Sequence, residues 1–292
     1  MMKIMTHNIF LLQYPLFSIG ASTMNNRVKL MIKDSIYQDV DVLILNEAFD
    51  GAALDPLIMY LKKIGFKYAT PLLNKGQLAR IDCDHNYCWN VIGSKPRWYQ
   101  RLNGGVMIFS KHNITWRESI TFDHSGNIPD VFAAKGAVYA RIEKDNSIWH
   151  VFGTHMQADD GSRPDIVRTK QITQILRWIN SKNIPSNEFI VLGGDLNISY
   201  HSAEYKKFLE KLDGWNNNIY INLKPTWDPN NNKLVEYSFG KGTPYYLDHI
   251  VARNAKSIYV QTLDIHSQDY YTYKGKRFNE YSDHFPLIAT IE

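Results

Sequence analysis

The sequence predicts an α/β protein of two packed sheets flanked by helices, folded as a single domain over residues 1–292. Three observations predict it. Short continuous apolar runs such as Val42–Leu45 and Phe189–Leu192 suit strands buried on both faces. Helical patterns fall between the strands, and many connections are hairpin-like, which argues for layered sheets and helices. No Gly-x-Gly-x-x-Gly follows an early strand, so a dinucleotide-binding fold is disfavoured.

Lys3–Phe10 reads as the first strand, followed by a polar turn and a helix through Arg27–Tyr37. Val42–Leu45 is the second strand, Leu54–Ile64 a helix, and Val106–Ser110, Ala137–Ile142 and Ile148–Thr154 are strands. The clearest helix is Pro164–Ser181, with Ser162 as cap, Asp165 three residues on, and a stripe of Ile172, Ile175, Leu176 and Ile179. Phe189–Leu192 runs straight into Gly193-Gly194-Asp195. After Trp215 the pattern is strand and loop to the end, with Ile250–Ala252 and Leu287–Thr290 as late strands. Asn216–Asn218 and Asn230–Asn232 read as turns.

The 292 residues are 44% hydrophobic and 21% charged, the balance of an ordinary globular protein. A chain of this length buries its apolar surface without metal or disulfide staples, so a metal site here points to catalysis. The net charge of +4 selects no partner. No apolar run approaches the roughly 20 residues of a membrane helix. Met1–Phe17 is apolar with one Lys, but Thr6, His7 and Asn8 interrupt it, so the chain reads as mature, with any export signal missing or never present. Cys83 and Cys88 bracket His85. A metal knuckle, a small disulfide loop and two free thiols all remain open, although a zinc site wants four ligands.

Chemistry-bearing groups stand at strand ends: Thr6-His7-Asn8, Asn46-Glu47, Gly153-Thr154-His155, Gly194-Asp195-Leu196-Asn197, Tyr246-Leu247-Asp248 and Tyr281-Ser282-Asp283-His284. Singly, each is a turn former, a cap or a hydrogen-bonded neighbour. As a set, polar groups that end apolar strands of shared sheets converge on one edge. Carboxylates, carboxamides and imidazoles together suit a hard divalent cation and phosphoryl transfer.

These motifs, in this order and over nearly the whole chain, resemble the endonuclease/exonuclease/phosphatase superfamily. Met-Thr-His-Asn at 5–8, Leu-Asn-Glu-Ala-Phe-Asp at 45–50 and Gly-Thr-His-Met-Gln-Ala-Asp-Asp at 153–160 resemble its bacterial neutral sphingomyelinase C branch. Thr226-Trp227-Asp228, Tyr246-Leu247-Asp248 and Glu280-Tyr281-Ser282-Asp283-His284 add to that likeness. The resemblance implies a four-layered α/β/β/α sandwich of DNase I type. It also implies Mg²⁺-dependent hydrolysis of sphingomyelin to ceramide and phosphocholine, with Mn²⁺ or Co²⁺ as substitutes.

By the same resemblance Glu47 is the leading metal ligand, with Asn8 beside it and Asp283 reaching toward the metal or its waters. His284 is the general base and Asp248 its orienting partner. Asp195 and Asn197 flank the phosphoryl group, and either His155 or a metal-bound water protonates the departing alkoxide. Trp227, Tyr245 and Tyr246 are candidate faces for the choline ammonium. Tyr270 and Tyr271 lie in the hairpin before Ser-Asp-His, where the family often carries bulky aromatics for membrane docking. Here the expected tip is Lys274-Gly275, which favours basic contact with head groups, while a simply solvated hairpin fits the charge equally. The family's acidic residue before the Gly-Gly of the Val106 strand is replaced by Leu102-Asn103, so the sequence leaves a second peripheral metal site open. The segment Lys75–Leu102, with Trp89, Trp98 and Tyr99, reads as a variable loop.

The expected partner is a lipid at a membrane surface, reached by a secreted, peripherally acting enzyme, with no nucleic acid and no obligate protein partner. The rivals are a phospholipase C with broader choline-lipid range, a DNase I-like endonuclease, which would track phosphates with many Lys and Arg, and a catalytically dead membrane-binding relative.

Overall fold

A computed structural model describes residues 1–12, 18–74, 89–93, 96–126, 128, 130–158 and 164–292. Cys83, Cys88, Asp159, Asp160 and Ser162 lie outside the described residues. In chain order the first elements are β1 (Met2–Asn8), α1 (Ile19–Lys33), β2 (Val42–Asn46), α2 (Gly51–Lys63), β3 (Tyr68–Ala69), β4 (Trp89–Gly93) and β5 (Met107–Ser110). Then come β6 (Asn113–Thr121), β7 (Gly136–Lys144), β8 (Ser147–His155), α3 (Pro164–Ser181), β9 (Phe189–Asp195), α4 (Ala203–Lys211) and β10 (Ile219–Asn222). The chain ends with α5 (Lys233–Phe239), β11 (Asp248–Arg253), β12 (Ile258–Thr262), β13 (Tyr271–Tyr273), β14 (Lys276–Phe278) and β15 (Leu287–Ile291).

Two mixed sheets carry the fold, in the strand orders β10-β12-β15-β1-β2-β5-β3 and β11-β9-β8-β7-β6-β4, while β13 and β14 pair by themselves. The alternation of strand side chains sorts the core into three interfaces. Ile4, Val42, Ile44 and Ile108 of the first sheet meet Val138, Ala140, Val151, Val191 and Ile250 of the second. On the outer face of the first sheet, Met5, Leu43 and Leu45 pack with Val28 and Met31 of α1 and Leu54 and Leu57 of α2. On the outer face of the second, Tyr139, Phe152, Ile190 and Leu192 pack with Ile172, Ile175 and Trp178 of α3 and Phe208 of α4. The result is the four-layered α/β/β/α sandwich, with no closed barrel among the described residues.

The sheets approach closely near the polar strand ends. A Cβ on Gly153 would meet Ile44 Cγ2 at 2.8 Å, and one on Gly193 would meet Ile44 Cδ1 at 2.9 Å. Both glycines sit one or two residues before a polar strand end, so the close approach carries those ends to one level. Each large aliphatic side chain buried in this interface contributes about 1.5–3 kcal/mol.

The expected helix Arg27–Tyr37 is corrected to Ile19–Lys33. The Ser18 hydroxyl accepts from Ala21 N–H at 3.2 Å and caps it, and Ser35 at φ 53° ends it. Asp50 caps α2 in the same way, accepting from Ala53 N–H at 2.7 Å. The expectation of strand and loop alone after Trp215 is also corrected. Asn232, read as part of a turn, is the N-cap of α5, its Oδ1 accepting from Leu234 and Val235. Among the described residues no helix is long and apolar enough to cross a membrane.

Candidate active site

Strand register brings the predicted polar groups to one edge. Asn8 lies beside Asn46 on paired β1 and β2, and His155 beside Asp195 on β8 and β9. Asp195 in turn faces Asp248, the first residue of β11. Glu47 and Asn197, each just past a strand, sit at φ 55° and 54°. Such left-handed backbone costs on the order of 1 kcal/mol for non-glycine residues and is typical of functional sites. Gly194, at φ 147°, precedes Asp195, and a Cβ there would meet Thr154 O at 1.9 Å.

Asp195 Oδ2 is the hub. It accepts from Asn8 Nδ2 at 3.0 Å and lies 3.7 Å from His155 Nε2 and 3.8 Å from His284 Nε2. Its Oδ1 accepts from Asn197 N–H at 2.9 Å. The other nitrogen of His284, Nδ1, is 2.8 Å from Asp248 Oδ2. Burial and the Asp248 charge together push the Asp195 carboxyl up to about 6. On His284, burial works to lower the pKa, but Asp248, Asp195 and Asp283 outweigh it and hold the imidazole well above its ordinary value.

Glu47 stands opposite. Its Oε1 is 4.0 Å from His155 Nε2, and its Oε2 is buried with no hydrogen-bond partner. Burial first, then the charge of Asp283, push the Glu47 carboxyl up to about 7. Asp283 is itself raised by burial, and its Oδ1 accepts from Ser282 Oγ. Four carboxyls thus face one buried region that leaves Glu47 Oε2 and Asp248 Oδ1 unpartnered. That donor set fits a hard divalent cation. Asp195, Asp248 and His284 also offer ligand atoms within 4.8 Å of one another, but His284 Nδ1 and Asp248 Oδ2 are committed to each other.

Two side chains that sequence reasoning missed support this arrangement. Lys135, buried beside β7, donates to Met156 O at 2.9 Å and to Asp130 Oδ1 at 2.5 Å, and its Nζ is 3.2 Å from His155 Nε2. Burial first, then Lys135, hold His155 well below its ordinary pKa, so it rests as neutral imidazole. A Lys entering the small-residue run Ala-Ala-Lys-Gly-Ala was the available signal. Arg27, fully buried in α1, donates to Ile9 O, Phe10 O, Gly20 O and Tyr281 O. It ties the turn after Asn8 to the loop that carries Asp283 and His284.

The aromatic candidates separate. Trp227 and Tyr245 pair across an isolated bridge, their rings 5.8 Å apart, with Phe239 5.5 Å from Trp227. Tyr246 packs elsewhere, 5.3 Å from the His201 ring and 6.2 Å from Tyr200. Tyr270 is exposed under Arg277. Tyr271 is corrected: it is buried in the α1–α2 core and stacks on Phe278, so its ring does not face a substrate. Asn103 spends its amide on Phe49 O and Gly105 N–H.

The family model for the Endonuclease/Exonuclease/phosphatase family matches residues 5–284. A sphingomyelinase C of Bacillus cereus is 32% identical over 306 residues, covering 99% of this chain and 88% of the relative. A sphingomyelinase C of Leptospira interrogans is 32% identical over 99% of this chain, which spans about half (51%) of that relative's length. Among solved structures, a Staphylococcus aureus beta toxin with bound magnesium ions superposes with a TM-score of 0.86 at 29% identity, covering 99% of this chain and 98% of that one.

Proposed function

The chain belongs to the endonuclease/exonuclease/phosphatase family, and from that premise we propose that it hydrolyses sphingomyelin to ceramide and phosphocholine. It does so as one catalytic domain over residues 1–292, requiring Mg²⁺, secreted and acting peripherally on membranes. The observation that carries the reading is similarity to sphingomyelinases C over 99% of this chain, combined with the base pair His284–Asp248 and a Glu47 carboxyl whose Oε2 is buried without a hydrogen-bond partner.

Glu47 would hold the cation, with Asn8 and Asp283 at its side. Its Oε2 has no hydrogen-bond partner, whereas His284 Nδ1 and Asp248 Oδ2 are committed to each other. Mg²⁺ held there would supply positive charge to offset the phosphoryl negative charge and to favour the neutral form of His284. His284 Nε2 then takes the proton of the attacking water, while Asp248 fixes the ring through Nδ1 and stabilises the imidazolium that results. The water oxygen bonds to phosphorus as the bond from phosphorus to the ceramide oxygen breaks in line. Asn197 donates to a phosphoryl oxygen as charge develops. On the His155 side of Asp195, Lys135 Nζ lies 3.2 Å from Nε2 of the neutral imidazole, and the Lys135 ammonium gives a proton to the departing alkoxide and is left as the amine. Trp227 and Tyr245 remain the aromatic faces suited to the choline ammonium.

The test is parallel assay of the purified protein on sphingomyelin, phosphatidylcholine and plasmid DNA, with Mg²⁺ and with EDTA. Ceramide release that needs the metal supports the reading. Nicked plasmid with intact sphingomyelin overturns it in favour of a nuclease. Equal turnover of phosphatidylcholine replaces it with a broader phospholipase C.

A further inference from the structure

Asp195 Oδ2 stands between two imidazoles, 3.8 Å from His284 Nε2 and 3.7 Å from His155 Nε2. In an in-line displacement the entering water and the departing oxygen lie on opposite sides of phosphorus. With His284 as the base, the ceramide oxygen leaves on the side of His155 and Lys135. Asp130 Oδ1 holds Lys135 Nζ there at 2.5 Å, and its Oδ2 accepts from Ala158 N–H at 3.1 Å. Asp130 opens a single 3₁₀ turn, Asp130–Phe132. Two residues to either side of it in the chain, Ile128 is 68% exposed and Phe132 39%. Two residues span at most about 7 Å, so both side chains start close to the carboxylate that holds the proton donor. A second segment is tied to this one. Arg97 donates to Asp123 O and, at 3.2 Å, to Ser125 Oγ, while Gln100 donates to Ala133 O at 3.2 Å. Between those two ties in sequence, Trp98 is 83% exposed, its ring edge-on to Tyr99 at 5.7 Å. The rim is anchored from below, where Gln157 Oε1 accepts from Gly126 N–H and Gln171 Nε2 donates to His124 O at 3.0 Å. Exposed apolar residues scattered singly need no explanation, but three on two tied segments beside a reacting group do.

We propose that Trp98 and Phe132, with Ile128, form the subsite for the departing ceramide and hold the first carbons of its hydrocarbon chains while its oxygen takes a proton from Lys135. The proposal rests on the hydrolase reading above and names the residues that recognise the lipid part of the substrate. Position chooses the occupant. Choline stays bonded to phosphorus through the reaction, and only ceramide hangs from the oxygen that leaves. Its chains therefore begin beside Lys135 and run outward past the segments around Asp130. Aromatic and branched aliphatic side chains suit hydrocarbon there, because covering them removes apolar surface from water. The contact is made with the chains of one substrate molecule, so it operates on a lipid monomer as well as on a bilayer. It also exists before and during the displacement, which makes it uniform binding that lowers KM and leaves kcat alone.

Three substrates with the same head group test this: sphingomyelin vesicles, a short-chain monomeric sphingomyelin, and 4-nitrophenyl phosphocholine, which has no ceramide. Trp98→Ala and Phe132→Ala should each raise KM for the monomeric sphingomyelin roughly tenfold with kcat nearly unchanged. Trp98→Phe, which keeps an aromatic face, should recover most of that loss. On the nitrophenyl ester all three variants should match the wild type. A defect on vesicles with none on the monomeric lipid overturns the proposal in favour of contact with the bilayer. An equal defect on the nitrophenyl ester overturns it in favour of general damage to the site. Binding of a short-chain ceramide gives a readout without turnover. The difference in emission between wild type and Trp98→Phe isolates Trp98 among the 7 tryptophans, and ceramide should shift that emission to the blue. No shift overturns the subsite. If the wild type cleaves none of the three substrates, the hydrolase reading falls, and the emission of Trp98 with ceramide then decides the subsite alone.

Discussion

Asp248 Oδ2 lies 2.8 Å from His284 Nδ1, and 36 residues of chain separate the two. Asp248 opens β11, and His284 sits in the loop before β15, on the other sheet. The pair therefore forms only when the two sheets are packed, and packing leaves Nε2 of the imidazole as the group turned toward Asp195.

If that nitrogen takes the water proton, His284→Ala should lower kcat by about 10²–10⁴-fold, the usual worth of a general base. Mg²⁺ binding should survive, because the proposed ligand is Glu47. Asp248→Asn should cost less, since it disturbs orientation and charge rather than deleting the base. Steady-state kinetics with calorimetric Mg²⁺ titration checks both, and near-normal turnover in His284→Ala would refute the role.

Much of this site was legible because a buried strand is a continuous apolar run, and a polar residue at its end has to be explained. Asn8, Glu47, His155, Asp195 and Asp248 all stand at such ends. Lys135 was not legible in the same way, since its meaning depends on β7 bringing it against β8. Tyr271 was misread because strand parity across a two-residue turn decides which tyrosine faces inward, and pairing with Phe278 puts Tyr271 in the core. The missed α5 is seven residues long, too short for periodicity to show, and its cap is spelled with the asparagines that ordinarily signal a turn. The left-handed backbone at Glu47 has no sequence signature at all.

Glu47→Gln should weaken Mg²⁺ binding and lower turnover by orders of magnitude with the fold intact, because the buried carboxylate loses its charge but keeps its volume. EDTA should abolish wild-type turnover. Ca²⁺ should support it poorly, since Ca²⁺ prefers six to eight oxygens at longer distances and Mg²⁺ makes do with few carboxylates and several waters. Turnover persisting in EDTA, or equal with the two ions, counts against the site.

Lys135 offers a test of the leaving-group side. Lys135→Met alone leaves Asp130 without its partner and should cost about 3–5 kcal/mol of stability, the penalty for breaking a buried pair. Adding Asp130→Asn should restore folding but not turnover. The same double variant removes a charge that depresses His155, so the His155 titration, followed by NMR in the metal-free protein, should move upward. A double variant with wild-type kcat would make Lys135 purely structural.

Stability against pH should reveal the metal site without any substrate. In the metal-free protein Glu47 keeps its proton up to about 7, against an ordinary 4.5, because burial and Asp283 oppose its charge. The folded state then binds more protons than the unfolded one, and stability falls as pH rises through that interval. His284 is held above its ordinary 6.5 by Asp248, Asp195 and Asp283 against the pull of burial. Its contribution is complete below 6.5 and is lost as pH rises toward the folded value. His7, lowered to about 3 by burial, and the buried His150, His155 and His249, also lowered chiefly by burial, act in the opposite sense. They do so only below 6.5, since above it they are neutral in both states. From pH 6.5 into the mildly alkaline range, Glu47 and His284, joined by Asp283 and the upper end of the Asp195 titration, which burial also raises, therefore set the slope, and all weaken the fold. Thermal melts in EDTA should show Tm falling across that window, and saturating Mg²⁺ should raise Tm more at the alkaline end, because it binds the charged carboxylate. Glu47→Gln should reduce the EDTA slope, leaving the share of His284, and remove the Mg²⁺ increment. A Tm that is level or rising in EDTA, with an Mg²⁺ increment independent of pH, would show that the carboxyl cluster is not the site of the ion.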